Sequence, residues 1–287
     1  MKNSHLNNVL ELSLATLLIS SAGVLGKYID MPAAVIIWWR SSIALLILYL
    51  FCRFKKINLT IKNAKDRKTF FFSALFLGAH WITYFYSIKI SNVSIGMLSL
   101  YTFPAITAIL EPLLTKAKFN RAHLLLAVLV FIGIYILAPE LNLENSHFKG
   151  VVWGVISAVL FSLRNIILKR GSAGYNGIMV MMYQLLIVTV FLLPVLYFFD
   201  TSNIKTQYPY IIMLALVATA IGHSLFINSL KHFTVSSASI ILSTQPIFGI
   251  ILAYIFLNEI PTSNTFIGGT LIISTVIIES VRSRKSS

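Results

Sequence analysis

The chain alternates long apolar runs with short polar connectors. Ten runs stand out, at residues 8–27, 33–53, 70–89, 93–115, 122–138, 150–168, 177–199, 209–229, 234–257 and 264–281. A helix needs about 20 apolar residues to cross about 30 Å of hydrocarbon. Each run therefore predicts a membrane-spanning helix, and the fold class is an all-α integral membrane protein. Ile43–Phe51 and Leu124–Tyr135 are apolar on every face. That disfavours barrel strands, which alternate strictly over about 10 residues. The first run holds Glu11, has one cation before it, Lys2, and ends in no small-x-small cleavage site. It reads as a retained helix rather than a removed signal peptide.

Composition agrees with this pattern. Of 287 residues 57% are hydrophobic and 11% charged, with a mean hydropathy of +0.84. A soluble domain carries about 25% charge, so an ordinary soluble enzyme, a disordered chain and a disulfide scaffold are excluded. The single cysteine, Cys52, lies in an apolar run and supports neither an intramolecular disulfide nor a cysteine metal site.

The net charge of +14 could suggest nucleic acid until the cations are placed. With the N-terminus in the cytoplasm, the inner segments hold seventeen of the 23 Lys and Arg residues, among them the basic stretch 53–69. The outer segments hold Lys27, Lys89, Lys149 and Lys205, together with Asp30, Glu140, Glu144, Asp200 and Glu259. This bias places both termini in the cytoplasm. It makes the basic loop a retention signal and removes nucleic acid as a partner.

The two halves of the chain match at an offset of 142 residues. Ser20 meets Ser162, Lys27 meets Lys169, Ser87 and Lys89 meet Ser229 and Lys231, and Thr102 and Pro104 meet Thr244 and Pro246. The halves are 1–141 and 142–287, with five predicted helices each. An odd number inverts the second half relative to the first. Inverted repeats are characteristic of alternating-access transporters, with the substrate near the midplane between the repeats.

These segments resemble the drug/metabolite transporter superfamily, EamA type, over nearly the whole chain. The resemblance rests on G-V-L-G-K-Y-I-D-M-P-A-A-V-I-I-W-W-R at 23–40, A-V-L-F-S-L-R-N-I-I-L-K-R at 158–170, Y-Q at 183–184, the two T-x-P segments, and L-N-E at 257–259 followed by Gly268 and Gly269. The first half departs from the pattern, with Ala117 where the offset would put a glutamate. The resemblance implies a secondary transporter of small organic molecules, often an exporter.

Depth along each run identifies candidate site residues. His80, Pro104, Gln245 and Pro246 fall near the bilayer midplane. A mid-helix proline frees the carbonyl four residues earlier, here Leu100 and Leu242. Such carbonyls are tolerated where they face protein or a water-filled cavity. The paired prolines read either as a binding site or hinge, or as the ordinary tolerance of proline in membrane helices. Helical spacing adds Trp81 and Tyr84 to His80, Tyr101 to Pro104, and Asn228 to His223. The stripes Thr16–Ser20–Gly23–Lys27 and Ser236–Ser239–Ser243 suit helix packing or pathway lining.

Three charges lie well inside the runs, whereas Glu11 and Glu279 sit in terminal turns near the cytoplasmic face. Glu111 and Arg164 sit at similar depth, which suggests an ion pair acting as gate or structural tie; an unpaired Glu111 would be a candidate proton carrier. Arg40, whose counterpart is Gln184, either snorkels outward or binds a carboxylate or phosphate. Trp38 and Trp39 fit an interfacial belt better than a substrate cage.

No metal site, cofactor motif, nucleophile elbow or phosphate loop is evident, so no cofactor is expected. The sequence therefore predicts a bacterial inner-membrane carrier that exports a small amino-acid-like metabolite by alternating access. The partners are the solute and the lipid bilayer, with room for a coupling proton and a homodimer. The rivals are a broad-specificity drug exporter and, in another class, a membrane enzyme or lipid-handling scaffold.

Overall fold

The computed structural model describes residues 2–115, 122–137, 142, 144–171, 174–229, 241–242 and 244–286. Its elements are helical, and among the described residues there is no strand. In order they are α1 (Lys2–Tyr28), α2 (Ala33–Phe54), α3 (Ala64–Ile90), α4 (Val93–Leu100), α5 (Phe103–Thr115), α6 (Ala122–Leu137), α7 (Ser146–Gly171), α8 (Gly177–Phe191), the short α9 (Val195–Phe198) and α10 (Ile204–Met213). A widened π-type turn follows over Leu214–Gly222. After it come α11 (His223–Ser229), α12 (Gln245–Leu257) and α13 (Ser263–Ser286).

Local chemistry sets several boundaries. Asn63, Asn92 and Asn176 each precede a helix, and their side chains accept from Asp66, Ile95 and Ile178 N–H. These are N-caps that satisfy otherwise orphaned donors. Helix α12 ends at Asn258, which adopts the left-handed conformation at φ 54°, where asparagine is tolerated better than most residues.

Among the described residues, six helical stretches are long and apolar enough to cross a membrane: Asn7–Tyr28, Ala33–Phe54, Ala64–Ile90, Val93–Leu114, Ser146–Leu168 and Ile204–Phe226. Val128–Leu137, Gly177–Phe191, Gln245–Leu257 and Ser263–Ile278 are shorter apolar helices. The predicted run 177–199 is interrupted, because α8 stops at Phe191 and a turn leads through Pro194. The predicted run 209–229 includes the widened turn, which its residue pattern does not announce.

The bundle inverts the soluble pattern: its surface is apolar, and its apolar core also takes in polar side chains. Leu46, Leu50, Phe131, Val190, Phe256 and Phe266 are exposed, whereas Thr16, Ser20, Arg40, Ser73, His80 and Gln184 are buried. Lipid on the outside explains this inversion, since buried polar groups must then pair within the protein.

Helix neighbours define a central layer. α3 packs against α7 and α8, while α1 packs against Leu214–Gly222, α11 and α12. α4 and α5 lie on α7, α2 lies on α8 and the widened turn, and α4 meets α12. α6 pairs with α13. There Gly268 allows close approach: a Cβ on it would lie 2.7 Å from the Gly133 carbonyl oxygen and 3.2 Å from the Leu137 nitrogen.

Candidate functional site

Both proline-bearing runs break where the sequence predicts. The first is interrupted at Tyr101–Thr102, between α4 and α5. The second has a turn at Thr244 before α12, with Pro246 in its first turn, a position where a missing N–H costs nothing. Pro104 likewise opens α5. The Tyr101 hydroxyl joins the two breaks, lying 2.8 Å from the Leu242 carbonyl oxygen and 2.7 Å from Gln245 Oε1. The carbonyl that Pro246 frees is thus satisfied from the other half of the chain.

Serines hold the same breaks. Ser20 Oγ lies 2.7 Å from the Thr16 carbonyl and 3.0 Å from the Gln245 carbonyl. Ser162 Oγ lies 2.8 Å from the Ala158 carbonyl and 3.1 Å from the Phe103 carbonyl. All three pairs of positions differ by 142.

His80 is 5% exposed. Ser157 Oγ donates to the His80 carbonyl at 2.9 Å and lies 2.7 Å from His80 Nδ1. With its one proton spent, the hydroxyl accepts from Nδ1–H, which leaves Nε2 as the lone-pair acceptor of the neutral ring. His223 is fixed in the same sense, with Nδ1 2.8 Å from the Ala218 carbonyl, which can only accept.

Aromatic rings connect these groups. The His80 ring lies 4.7 Å from Phe161 and stacks on Tyr84 at 6.3 Å. Phe161 meets Phe103 edge-on at 4.9 Å, and Phe103 meets Tyr101 at 5.6 Å. Trp81 stands edge-on to His223 at 6.0 Å.

Arg40 does not snorkel. It is 1% exposed, its Nε donates to Thr219 Oγ1 at 2.6 Å, and its Cζ lies 4.2 Å above the Trp81 ring. Thr219 in turn donates to the Leu214 carbonyl. Arg164 Nη2 donates to Gln184 Oε1 at 2.7 Å and Nη1 to Asn165 Oδ1 at 3.0 Å. Gln184 passes the bond on to Ser73 Oγ. The guanidinium is thereby tied to α8. Glu111 lies half-buried on α5 beside Pro112.

Trp38 and Trp39 pack edge to face at 4.8 Å, and Trp38 Nε1 donates to the Thr189 carbonyl. They tie α2 to α8. The Asn228 side chain, Ser236, Ser239, Ser243 and Lys231 lie outside the described residues.

Residue periodicity had singled out His80, Trp81, Tyr84, Tyr101, Gln245 and His223, and ring contacts and hydrogen bonds now connect them in two groups. It overlooked Ser157 and Phe161. With Arg164 they follow i, i+4, i+7 on α7, a spacing that puts all three on one helix face.

A second polar cluster sits where α1, α3 and α4 end or begin. Lys27 Nζ donates to the Lys89 and Ser91 carbonyls, and Lys89 Nζ to the Ile29 carbonyl. Each lysine thus caps the C-terminal end of the other's helix. Glu259 Oε2 accepts from Val93 N–H at 2.8 Å, at the N-terminus of α4, where negative charge is favoured. Burial raises the Glu259 carboxyl above its ordinary range, against the pull of the Val93 N–H and Lys27.

The EamA-like transporter family model matches residues 8–138 and 148–280. The chain belongs to the EamA-like transporter family. It is therefore a multi-pass membrane transporter of the drug/metabolite superfamily, and not an enzyme. Among its relatives, the pseudopaline exporter CntI of Pseudomonas aeruginosa is 24% identical over 247 residues, covering 85% of this chain and 84% of that protein. The S-adenosylmethionine uptake transporter of Rickettsia conorii is 24% identical over 115 residues, 40% of this chain and 39% of its own. A solved crystal structure superimposes with a TM-score of 0.68 at 14% identity, covering 98% of this chain and 99% of the other. At that identity the likeness concerns the fold.

Proposed function

We propose that this chain is a secondary transporter that exports a small amino-acid-like metabolite by alternating access. Ten spanning helices would form two inverted halves, 1–141 and 142–287, in a bacterial inner membrane with both termini in the cytoplasm. The observation that carries this reading is the exchange of serine bonds. Ser20 of the first half holds the break at Gln245, and Ser162 of the second half holds the break at Phe103. A two-fold relation that inverts one half would generate that exchange. The helix neighbours support it as well: α1 on α12 answers α7 on α4 and α5, while α4 on α12, α2 on α8 and α6 on α13 pair with themselves.

The chamber would lie between the halves, lined by His80, Trp81, Tyr84, Tyr101, His223 and Gln245, with Arg40 and Arg164 at its sides and Pro104 and Pro246 at the breaks. Export is favoured because the match to an exporter runs over most of both chains, whereas the match to an uptake carrier covers less than half.

The test is counterflow in proteoliposomes containing the purified chain and loaded with a mixture of metabolites. Labelled solute should accumulate against its unlabelled form. Absence of movement for every solute, with the protein still folded, would refute the reading. In the same vesicles, transport indifferent to a pH gradient and to Glu111→Gln excludes proton coupling through that residue.

A further inference from the structure

We propose that the basic segment 53–68 is a built binding site for anionic phospholipid. The cations take the phosphodiester headgroup, and the apolar helix ends beside them take the acyl chains. This goes beyond the transport reading. It needs a multi-pass membrane protein and is indifferent to the solute and its direction.

The first ground is charge. The segment carries seven Lys and Arg residues against one carboxylate, Asp66. All seven cations are exposed. Three of them, Lys65, Arg67 and Lys68, stand in the opening turns of α3. That is the positive end of the helix dipole, where anions are favoured and cations are not.

The second ground is that the segment is clasped. A topology signal needs only charge in a loose loop. Here Ile57, Leu59 and Ile61 are half-buried, while Asn58, Thr60 and Lys62 between them are exposed. The three apolar side chains pack with Tyr175 and Tyr183 around buried Phe70, Met179 and Val180. The Tyr183 hydroxyl donates to the Leu59 carbonyl at 2.7 Å, and the Lys62 N–H donates to the Tyr175 hydroxyl at 2.9 Å. The same Tyr175 hydroxyl donates to Asp66 Oδ2. A neutral phenol thus occupies the carboxylate that would otherwise quench the cations. The backbone is pinned to α8 and to the segment before it, so movement of the loop does not relieve the repulsion between like charges. A bound anion does.

The third ground selects lipid over free phosphate. Leu50, Phe51 and Phe54 on the last turns of α2 are exposed, as are Phe71 and Phe72 on α3. Apolar surface therefore flanks the cations on both sides. A free phosphate uses the cations alone, whereas a phospholipid carries headgroup charge and acyl chain together. Clusters of about 4–8 Lys and Arg beside a membrane helix attract anionic headgroups.

The experiment is a thermal-shift titration of the full chain purified in a non-ionic detergent. The probes are phosphatidylglycerol, phosphatidylcholine and glycerol 3-phosphate. Phosphatidylglycerol should stabilise the protein, the other two should not, and about 1 M salt should abolish the effect. The triple variant Lys62→Gln, Lys65→Gln, Arg67→Gln should bind phosphatidylglycerol on the order of tenfold more weakly or worse. Lys149→Gln with Lys205→Gln, which removes exposed cations elsewhere, should bind it as the native chain does. Tyr175→Phe leaves the net charge unchanged yet frees Asp66, so it should weaken binding about fivefold, the worth of roughly one cation. Equal stabilisation by phosphatidylcholine or by glycerol 3-phosphate overturns the proposal. So does an equal loss in the Lys149 and Lys205 variant, which would mean diffuse attraction, or full binding by Tyr175→Phe, which would mean that the clasp builds nothing. The three probes on the native chain decide the matter even where a variant fails to fold. Failure of counterflow leaves this site standing, and failure of the lipid titration leaves transport standing.

Discussion

Ser162 does in the second half of the chain what Ser20 does in the first. Each sits on a long helix, bonds the carbonyl one turn back, and reaches the backbone of a broken helix in the opposite half. Each break is thus bonded from the opposite half as well as by its own threonine, Thr102 or Thr244. In a membrane, where backbone groups have no water to turn to, that arrangement makes each half responsible for the other's weakest segment.

Ser20→Ala and Ser162→Ala should therefore have similar effects. Each removes one hydrogen bond to a break, at a cost of about 0.5–1.5 kcal/mol. Alanine keeps the helix and the packing, so thermal unfolding in detergent should move by only a few degrees. Transport should fall further than stability. A large effect of one serine beside none of the other would argue that the two breaks are not equivalent.

Ser157→Ala should release the His80 ring. In the native chain Nδ1 carries the proton because the Ser157 oxygen can only accept. Without that oxygen the ring loses its tautomeric preference. Nitrogen-15 NMR of labelled histidine should show Nδ1–H in the native protein and a shift toward Nε2–H in the variant. Unchanged spectra would mean that another group sets the tautomer.

The Glu259 carboxyl is held above its ordinary value of 4.5 by burial. The folded protein then binds this proton more tightly than the unfolded chain. The stability it contributes is fully present below the ordinary value and is lost as pH rises through the raised one. Melting temperatures of the native chain and Glu259→Gln, compared from about pH 4 to 7, should show the native protein losing ground to the variant as pH increases. A constant difference would place Glu259 outside the titration. Glu259→Ala should cost about 1 kcal/mol more than Glu259→Gln, because Val93 N–H loses its acceptor.

Gly268→Ala should destabilise the contact between α6 and α13 by about 1–3 kcal/mol. The atoms that an added methyl would meet are the Gly133 carbonyl and the Leu137 backbone, which cannot rotate away as a side chain could. Unfolding midpoints check this, and a neutral substitution would show that the two helices slide apart without penalty.

Much of this architecture was legible in the residues. Apolar length marked the helices, six of them long enough among the described residues to cross a membrane, and the offset of 142 paired Ser20 with Ser162 before any contact was known. Proline placed both breaks within a residue or two, because a missing N–H acts locally. Direction around a helix axis was harder to read. The bonds of Arg164 to Gln184 and Asn165 were not legible, since position along an axis does not tell which neighbour a side chain faces. Ser157 was overlooked because small residues in membrane helices usually mean packing. The widened turn carries no proline and ends in ordinary helix; its contacts with α1 and α2 are tertiary, and periodicity does not contain them.

That turn, Leu214–Gly222, works as a phase adjuster. Spacing of i to i+5 lets Thr219 bond Leu214 while its oxygen meets Arg40, and it lets His223 reach back to Ala218. Deleting one residue there would give a better helix and a worse protein. Everything downstream would swing by about 100° around the axis, carrying the His223 ring off Trp81. Local regularity and these tertiary contacts are in conflict over these nine residues, and the chain has kept the irregular solution.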